Sequence, residues 1–173
     1  MSVTDHKCAH KGFTLLELMI VIAIVAVLST LAFPSFSRLI LKHRAQDAAS
    51  GIFSALFKAR SEALKRADRI RLQPNSGTTN WEGGWRILDN ASNTLDTHEA
   101  VEKVTITFSG GSPIVYNSAG RISSAAPTFV MTASNGSYSC AYTVEVDTTG
   151  RPYETSAKNS GTAQVAGGGA PSC

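Results

Sequence analysis

Beyond one segment near its start, this 173-residue chain has no apolar run approaching the ~18 residues that a membrane-spanning helix needs, which excludes a multi-pass membrane protein. Signatures of catalysis are missing as well. There is no P-loop, no HExxH, no GxSxG and no CxxC. Histidine is scarce: beyond the first twelve residues only His43 and His98 remain, one in a helical segment and one in a polar loop beside Glu99. No spacing groups Ser, His and Asp for nucleophilic attack, and His98-Glu99 reads as an exposed loop pair. An enzyme is not expected, nor a metal site or cofactor. Cysteine is limited to Cys8, Cys140 and Cys173, an odd number that leaves a spare thiol unless processing removes one.

The apolar material that is present is concentrated. Between Phe13 and Phe33, 17 of 21 residues are apolar and Glu17 is the only charge. As a helix this run would extend ~31 Å, the thickness of a bilayer's hydrocarbon core. A secretory signal peptide is the rival reading, with Thr30-Leu31-Ala32 as a small-x-small site, but its apolar region is usually only ~7–15 residues. A carboxylate deep in such a run costs ~2.5–3.5 kcal/mol and calls for a partner. The rest of the chain is rich in Ser, Thr, Gly and Asn, as suits a small exported domain on one apolar stalk.

Charge is distributed unevenly. The formal net charge of +3 resolves into nine Lys or Arg against three carboxylates over 38–71, a net +6, and five against eight over 72–173, a net −3. An alkaline pI therefore reports a basic helix rather than a basic domain. The positive-inside rule gives no orientation, because Lys7 and Lys11 on one side of the run face Arg38, Lys42 and Arg44 on the other.

Lys11-Gly12-Phe13-Thr14-Leu15-Leu16-Glu17 resembles the processing site of type IV pilins and of the pseudopilins of related secretion systems. The resemblance implies a 1–12 leader cleaved after Gly12 by a prepilin peptidase, an N-methylated Phe13, and a 161-residue mature chain of charge +2. It gives Glu17 an assembly role, meeting the terminal amine of a neighbouring subunit, a pairing that would offset most of the cost of burying it. Pro34 falls where pilin helices often kink, since proline removes a helical hydrogen bond. Loss of the leader removes Cys8, so Cys140 and Cys173 remain as an even pair in an exported domain. That pair is expected to form a disulfide, with two free thiols as the alternative; closing the loop would stabilise by about 3.8 kcal/mol in the chain-entropy picture.

From Ala45 onward Ala48, Ala49, Ile52, Leu56, Ala59, Ala63, Ala67 and Ile70 recur at three and four residues, the stripe of an amphipathic helix continuing the stalk. Lys58, Glu62, Lys65 and Arg66 fall on the other side, with Lys58–Glu62 and Glu62–Arg66 as i,i+4 pairs. After the turn signal at residues 73–77, strands are expected over Trp85–Leu88, Val101–Phe108, Ile114–Tyr116, Thr128–Thr132 and Tyr138–Val146, and near Arg151–Tyr153. The stretch 155–173 has no packing pattern and is expected to be a flexible tail, tethered through Cys173.

Ala59-Arg60-Ser61-Glu62-Ala63, Trp81 with Gly84-Trp85, Asn117-Ser118-Ala119-Gly120-Arg121 and Gly150-Arg151, in that order, resemble the GspH/FimT/FimU minor pseudopilins. With the N-terminus the likeness runs from about residue 11 to residue 154. It implies an α+β, pilin-like lollipop: a transmembrane and assembly helix over 13–44, then a globular domain over 45–154 in which the amphipathic half of the helix packs on a small antiparallel sheet. The implied role is a minor pilin of a type IV pilus in a Gram-negative bacterium. It would wait as a single-pass protein of the inner membrane with a periplasmic domain, then help initiate pilus assembly and sit at the fibre tip. Its partners would be other minor pilins, the major pilin and the prepilin peptidase. Two alternatives stay open, a type II secretion pseudopilin and a DNA-binding minor pilin for natural transformation. For the latter, Gly150-Arg151-Pro152-Tyr153 has the first arginine of a Gly-Arg-x-Arg motif and lacks the second; Arg151 and Lys158 would be the DNA contacts.

Overall fold

The computed structural model describes residues 13–136 and 138–156, without the side chains at 30–35, 155 and 156. The chain divides into two compact units, Met1–Ser37 and Arg38–Cys173. One helix, α1 (Leu15–Arg66), supplies structure to both.

In the first unit the helix begins at Thr14, whose Oγ1 accepts a hydrogen bond from the Glu17 backbone N–H at 3.2 Å. Thr-x-x-Glu at a helix start is the capping-box pattern, and it satisfies one of the donors that the first turn leaves free. The apolar side chains that follow, from Leu15 to Leu28, are largely exposed. Among the described residues no helix is long and apolar enough to cross a membrane. The end of the apolar run expected to span, at residues 30–33, falls on side chains outside the described residues.

In the second unit α1 buries Leu41, Ala45, Ala48, Ala49, Ile52, Ala55, Leu56, Ala59 and Ala63. Alanine on most of this stripe lets the strands approach closely, while Ile52 and Leu56 each contribute about 2 kcal/mol of apolar burial. The helix stops at Arg66, four residues before the end of the stripe at Ile70. Ala67 turns to a φ of 51°, a left-handed residue that ends the helix as C-cap geometry does. Ile70, which continues the helical spacing on paper, instead opens β1 (Ile70–Ser76).

Two four-stranded antiparallel sheets complete the domain. The first has the order β3-β2-β1-β5, with β2 at Asn80–Leu88, β3 at Thr94–His98 and β5 at Ile114–Tyr116. The second has the order β4-β6-β7-β8, with β4 at Thr105–Ser109, β6 at Thr128–Ser134, β7 at Ser139–Val146 and β8 at Pro152–Ser156. A long helix packed on a small antiparallel domain is the expected fold class, with the sheet divided in two. Trp81 of β2 ties the halves together. Its ring meets Phe129 of β6 edge-on at 4.8 Å and Phe108 of β4 at 5.1 Å, and the neighbouring Glu82 carboxylate accepts from the Ile106 N–H at 2.9 Å.

Several expectations are corrected. The residues expected to form a turn at 73–77 lie mostly in β1, and the strand expected over Val101–Phe108 begins only at Thr105, because Lys103 adopts a φ of 60°. His98 ends a strand and is no loop residue: its ring stacks on Trp85 at 4.0 Å. Lys58 reaches across to Asp96 of β3 at 2.8 Å instead of along the helix to Glu62, which holds Arg66 at 2.6 Å. Finally, β8 takes in Thr155 and Ser156, the first two residues of the expected tail.

Candidate functional site: twin turns at the end of the long helix

Two five-residue turns of the same design meet near the last part of α1. In Asn117-Ser118-Ala119-Gly120-Arg121, the Asn117 Oδ1 accepts from the N–H groups of Ala119 and Arg121, both at 3.0 Å, and Gly120 N–H donates to the Asn117 carbonyl at 2.8 Å. In Asp147-Thr148-Thr149-Gly150-Arg151, the Asp147 Oδ1 accepts from Thr149 N–H at 2.8 Å and Arg151 N–H at 2.9 Å, and Gly150 N–H donates to the Asp147 carbonyl at 2.9 Å. Asn and Asp share this task because each presents a side-chain oxygen two residues from the N–H it captures. The fourth position needs a left-handed backbone, and glycine supplies it with φ of 69° at Gly120 and 83° at Gly150.

The turns press against each other, and the first presses on the helix. A Cβ built on Gly150 would overlap the Gly120 carbonyl oxygen and lie 3.1 Å from Arg121 Cα. That same carbonyl accepts a hydrogen bond from Arg60 Nε of α1 at 3.0 Å, and a Cβ on Gly120 would press on Leu64 at 3.0 Å. Three motifs separate in the sequence, Ala59–Ala63, Asn117–Arg121 and Gly150-Arg151, thus meet in one place. Arg121 and Arg151, one in each turn, are both exposed, and the Arg121 Cα lies beside Gly150.

The local electrostatics follow from these bonds. The Thr149 hydroxyl, then the Arg151 and Thr149 N–H groups, hold the Asp147 carboxyl below its usual range, and the Arg60 guanidinium adds to this. Behind the first turn Tyr116 is fully buried, and burial pushes its phenol well above the ordinary value; Arg60 opposes that shift and Asp147 reinforces it. Among the described residues no group of His, Cys, Asp and Glu is placed to hold a metal ion.

The other sequence-selected residues lie elsewhere. Glu17 sits in the first turn of α1 with Phe13 just before it, 83% exposed. Cys140 is fully buried in β7 and disulfide-bonded. Gly12, Lys158 and Cys173 lie outside the described residues. The structure adds Phe57 and Leu64, which the core stripe leaves out and which are exposed on α1; their spacing of seven residues was the available signal.

A long helix capped at its first turn and packed on antiparallel sheets defines a pilin-like protein. The profile described as "Type II transport protein GspH" matches residues 48–150, and that described as "Prokaryotic N-terminal methylation motif" matches residues 7–33. The chain belongs to the GspH family, whose pilin-class members are structural proteins. Its fold is similar to the crystal structure of the type IV minor pilin FimU of Pseudomonas aeruginosa (strain PAO1), with a TM-score of 0.53 at 21% identity over 65% of this chain and 89% of that one. In sequence it is similar to the type IV major pilin protein PilA of Myxococcus xanthus (strain DK1622), 33% identical over 69 residues, and to fimbrial protein Q of Moraxella bovis, 39% identical over 66 residues. Those stretches cover 40% and 34% of this chain, and only 31% and 42% of the two relatives.

Proposed function

We propose that this chain is a minor pilin of a type IV pilus, which joins other minor pilins in the complex that starts assembly and remains at the fibre tip. The observation that carries the reading is the first part of α1: a capped helix whose apolar side chains are exposed from Leu15 to Leu28. Apolar surface on that scale requires cover, first from the inner membrane and then from the helices of neighbouring subunits. In this reading a prepilin peptidase removes residues 1–12 after Gly12, Phe13 becomes the methylated terminus, and Glu17 meets the terminal amine of the next subunit. The helix over 13–44 is the assembly element and 45–154 the globular part. Cys140 takes Cys173 as its disulfide partner, which tethers the chain beyond β8. The role is structural rather than enzymatic, with partners among minor pilins and the major pilin.

Glu17→Val tests this directly. The variant should insert in the inner membrane at wild-type level and fail to enter fibres. Normal piliation, with normal co-purification of partner pilins, would reject the assembly role.

Two further readings each have one observation behind them. The description of the matching family favours a type II secretion pseudopilin; fibre genes or secretion genes beside this one would separate the two. The meeting of two turns that each carry an exposed arginine, Arg121 and Arg151, favours a DNA-capturing minor pilin, because the first turn offers a second guanidinium where the local motif lacks one.

A further inference from the structure

Helix α1 carries a second seam beside its core stripe. Phe53, Phe57, Arg60 and Leu64 succeed one another at four, three and four residues, the spacing that aligns side chains along one helix flank. Phe53 is half-buried against the core, whereas Phe57 is 61% and Leu64 52% exposed. The seam continues onto the first turn, where Leu64 lies over Gly120 and the exposed Arg121 follows. The opposite flank is occupied by the domain's own charges: Lys58 is paired with Asp96, and Lys65 and Arg66 with Glu62. Large apolar side chains rimmed by arginine are what anchors protein interfaces.

We propose that this flank, Phe57 and Leu64 with Arg60 and Arg121 at its rim, is a docking surface for the acidic sheet domain of a neighbouring pilin-family subunit. The inference rests on the reading that the chain assembles with other pilins, and it names the surface used. Charge selects the occupant. The rim of this flank carries Arg60 and Arg121, whereas eight of the chain's carboxylates fall in residues 72–173, net −3, so the flank of one subunit attracts the sheet surface of another built alike. A contact between two unlike surfaces leaves one of each free at every step, so it continues into a ring or an open array instead of closing as a two-fold dimer. The partner's surface must offer an apolar recess for Phe57 and carboxylates for the two arginines.

The test uses the full-length protein in cells that build the fibre. A photo-crosslinking residue at position 57 should capture another pilin-family subunit, either a second copy or a different one, while the same residue at position 66, on the other side of the helix, should not. Phe57→Glu and Leu64→Glu replace exposed side chains, so melting temperature should stay within about 2 °C of wild type. Recovery of partner pilins should fall about tenfold or more, as for loss of an interface anchor. Wild-type recovery in both variants, or cross-linking at 57 only to lipid or nucleic acid, overturns the docking surface. If the wild-type protein itself recovers no pilin-family subunit, the assembly reading falls and takes this surface with it.

Discussion

Gly150 lies against the carbonyl oxygen of Gly120, so the two arginine-bearing turns meet backbone to backbone with no room for a side chain between them. Gly150→Ala would bring both a steric overlap and a left-handed alanine. We expect a loss of about 3 kcal/mol of unfolding free energy. Gly136 has a similar φ of 87° but open space around it, so Gly136→Ala isolates the backbone effect at about 1 kcal/mol. Denaturant unfolding of the two variants gives the difference.

The matched turns also provide a controlled experiment on pH. Asp147 has its carboxyl held low, chiefly by the Thr149 hydroxyl, so the folded protein binds a proton there less readily than the unfolded chain. Its contribution is therefore complete above the unfolded carboxyl value of ~3.9 and disappears as pH falls through the lower folded value. Asp147→Asn should keep the turn, as Asn117 does in the first one, while flattening the acid side of the stability profile. Asp147→Ala should lower the melting temperature at pH 7 and approach wild type only below about pH 3.9. Thermal melts across pH 2–7, taken as about that range, check both.

Arg60 joins the helix to the first turn through Nε. Arg60→Ala should cost about 1.5–3 kcal/mol, the range for a lost hydrogen bond to a charged group, and should loosen the Asn117–Arg121 turn in amide exchange. Arg60→Lys should rescue little, because an ammonium on a flexible stem does not reproduce the Nε donor.

Arg121 and Arg151 are the pair to remove when testing DNA. Duplex binding is expected to be weak and lost at moderate salt, since residues 72–173 are net −3. If a gel shift is seen, replacing both arginines with alanine should lower the slope of log affinity against log salt by about two units. Unchanged binding would remove these turns from the DNA reading.

Much of the fold is legible in the sequence because its signals are periodic. The alanine-rich stripe from Ala45 to Ala63 faces the core as spaced, and β4 and β6 alternate as half-buried strands do, whereas β7 buries successive residues in pairs. The errors cluster where tertiary context overrules local chemistry. Ile70 keeps helical spacing, yet the left-handed Ala67 has already ended the helix. Residues 73–76 look like a turn, yet Pro74 is tolerated in β1 because β5 pairs only with Ile70–Leu72, leaving Pro74 beyond it on an open edge where a missing N–H is harmless. The short edge strand β3 is too polar to stand out. At the candidate site each turn is readable alone, while their contact joins residues thirty apart in sequence and had no local signal.

The way α1 is held in the domain bears on how a fibre subunit would resist tension. Its buried side chains, from Leu41 to Ala63, run along the helix axis, and Arg60 fastens the far end to Gly120. A pull entering at Arg38 loads that whole row in shear, so its contacts must slip together rather than peel apart one by one. The alanine stripe thereby acts as a mechanical splice, and the twin turns as the stop at its end.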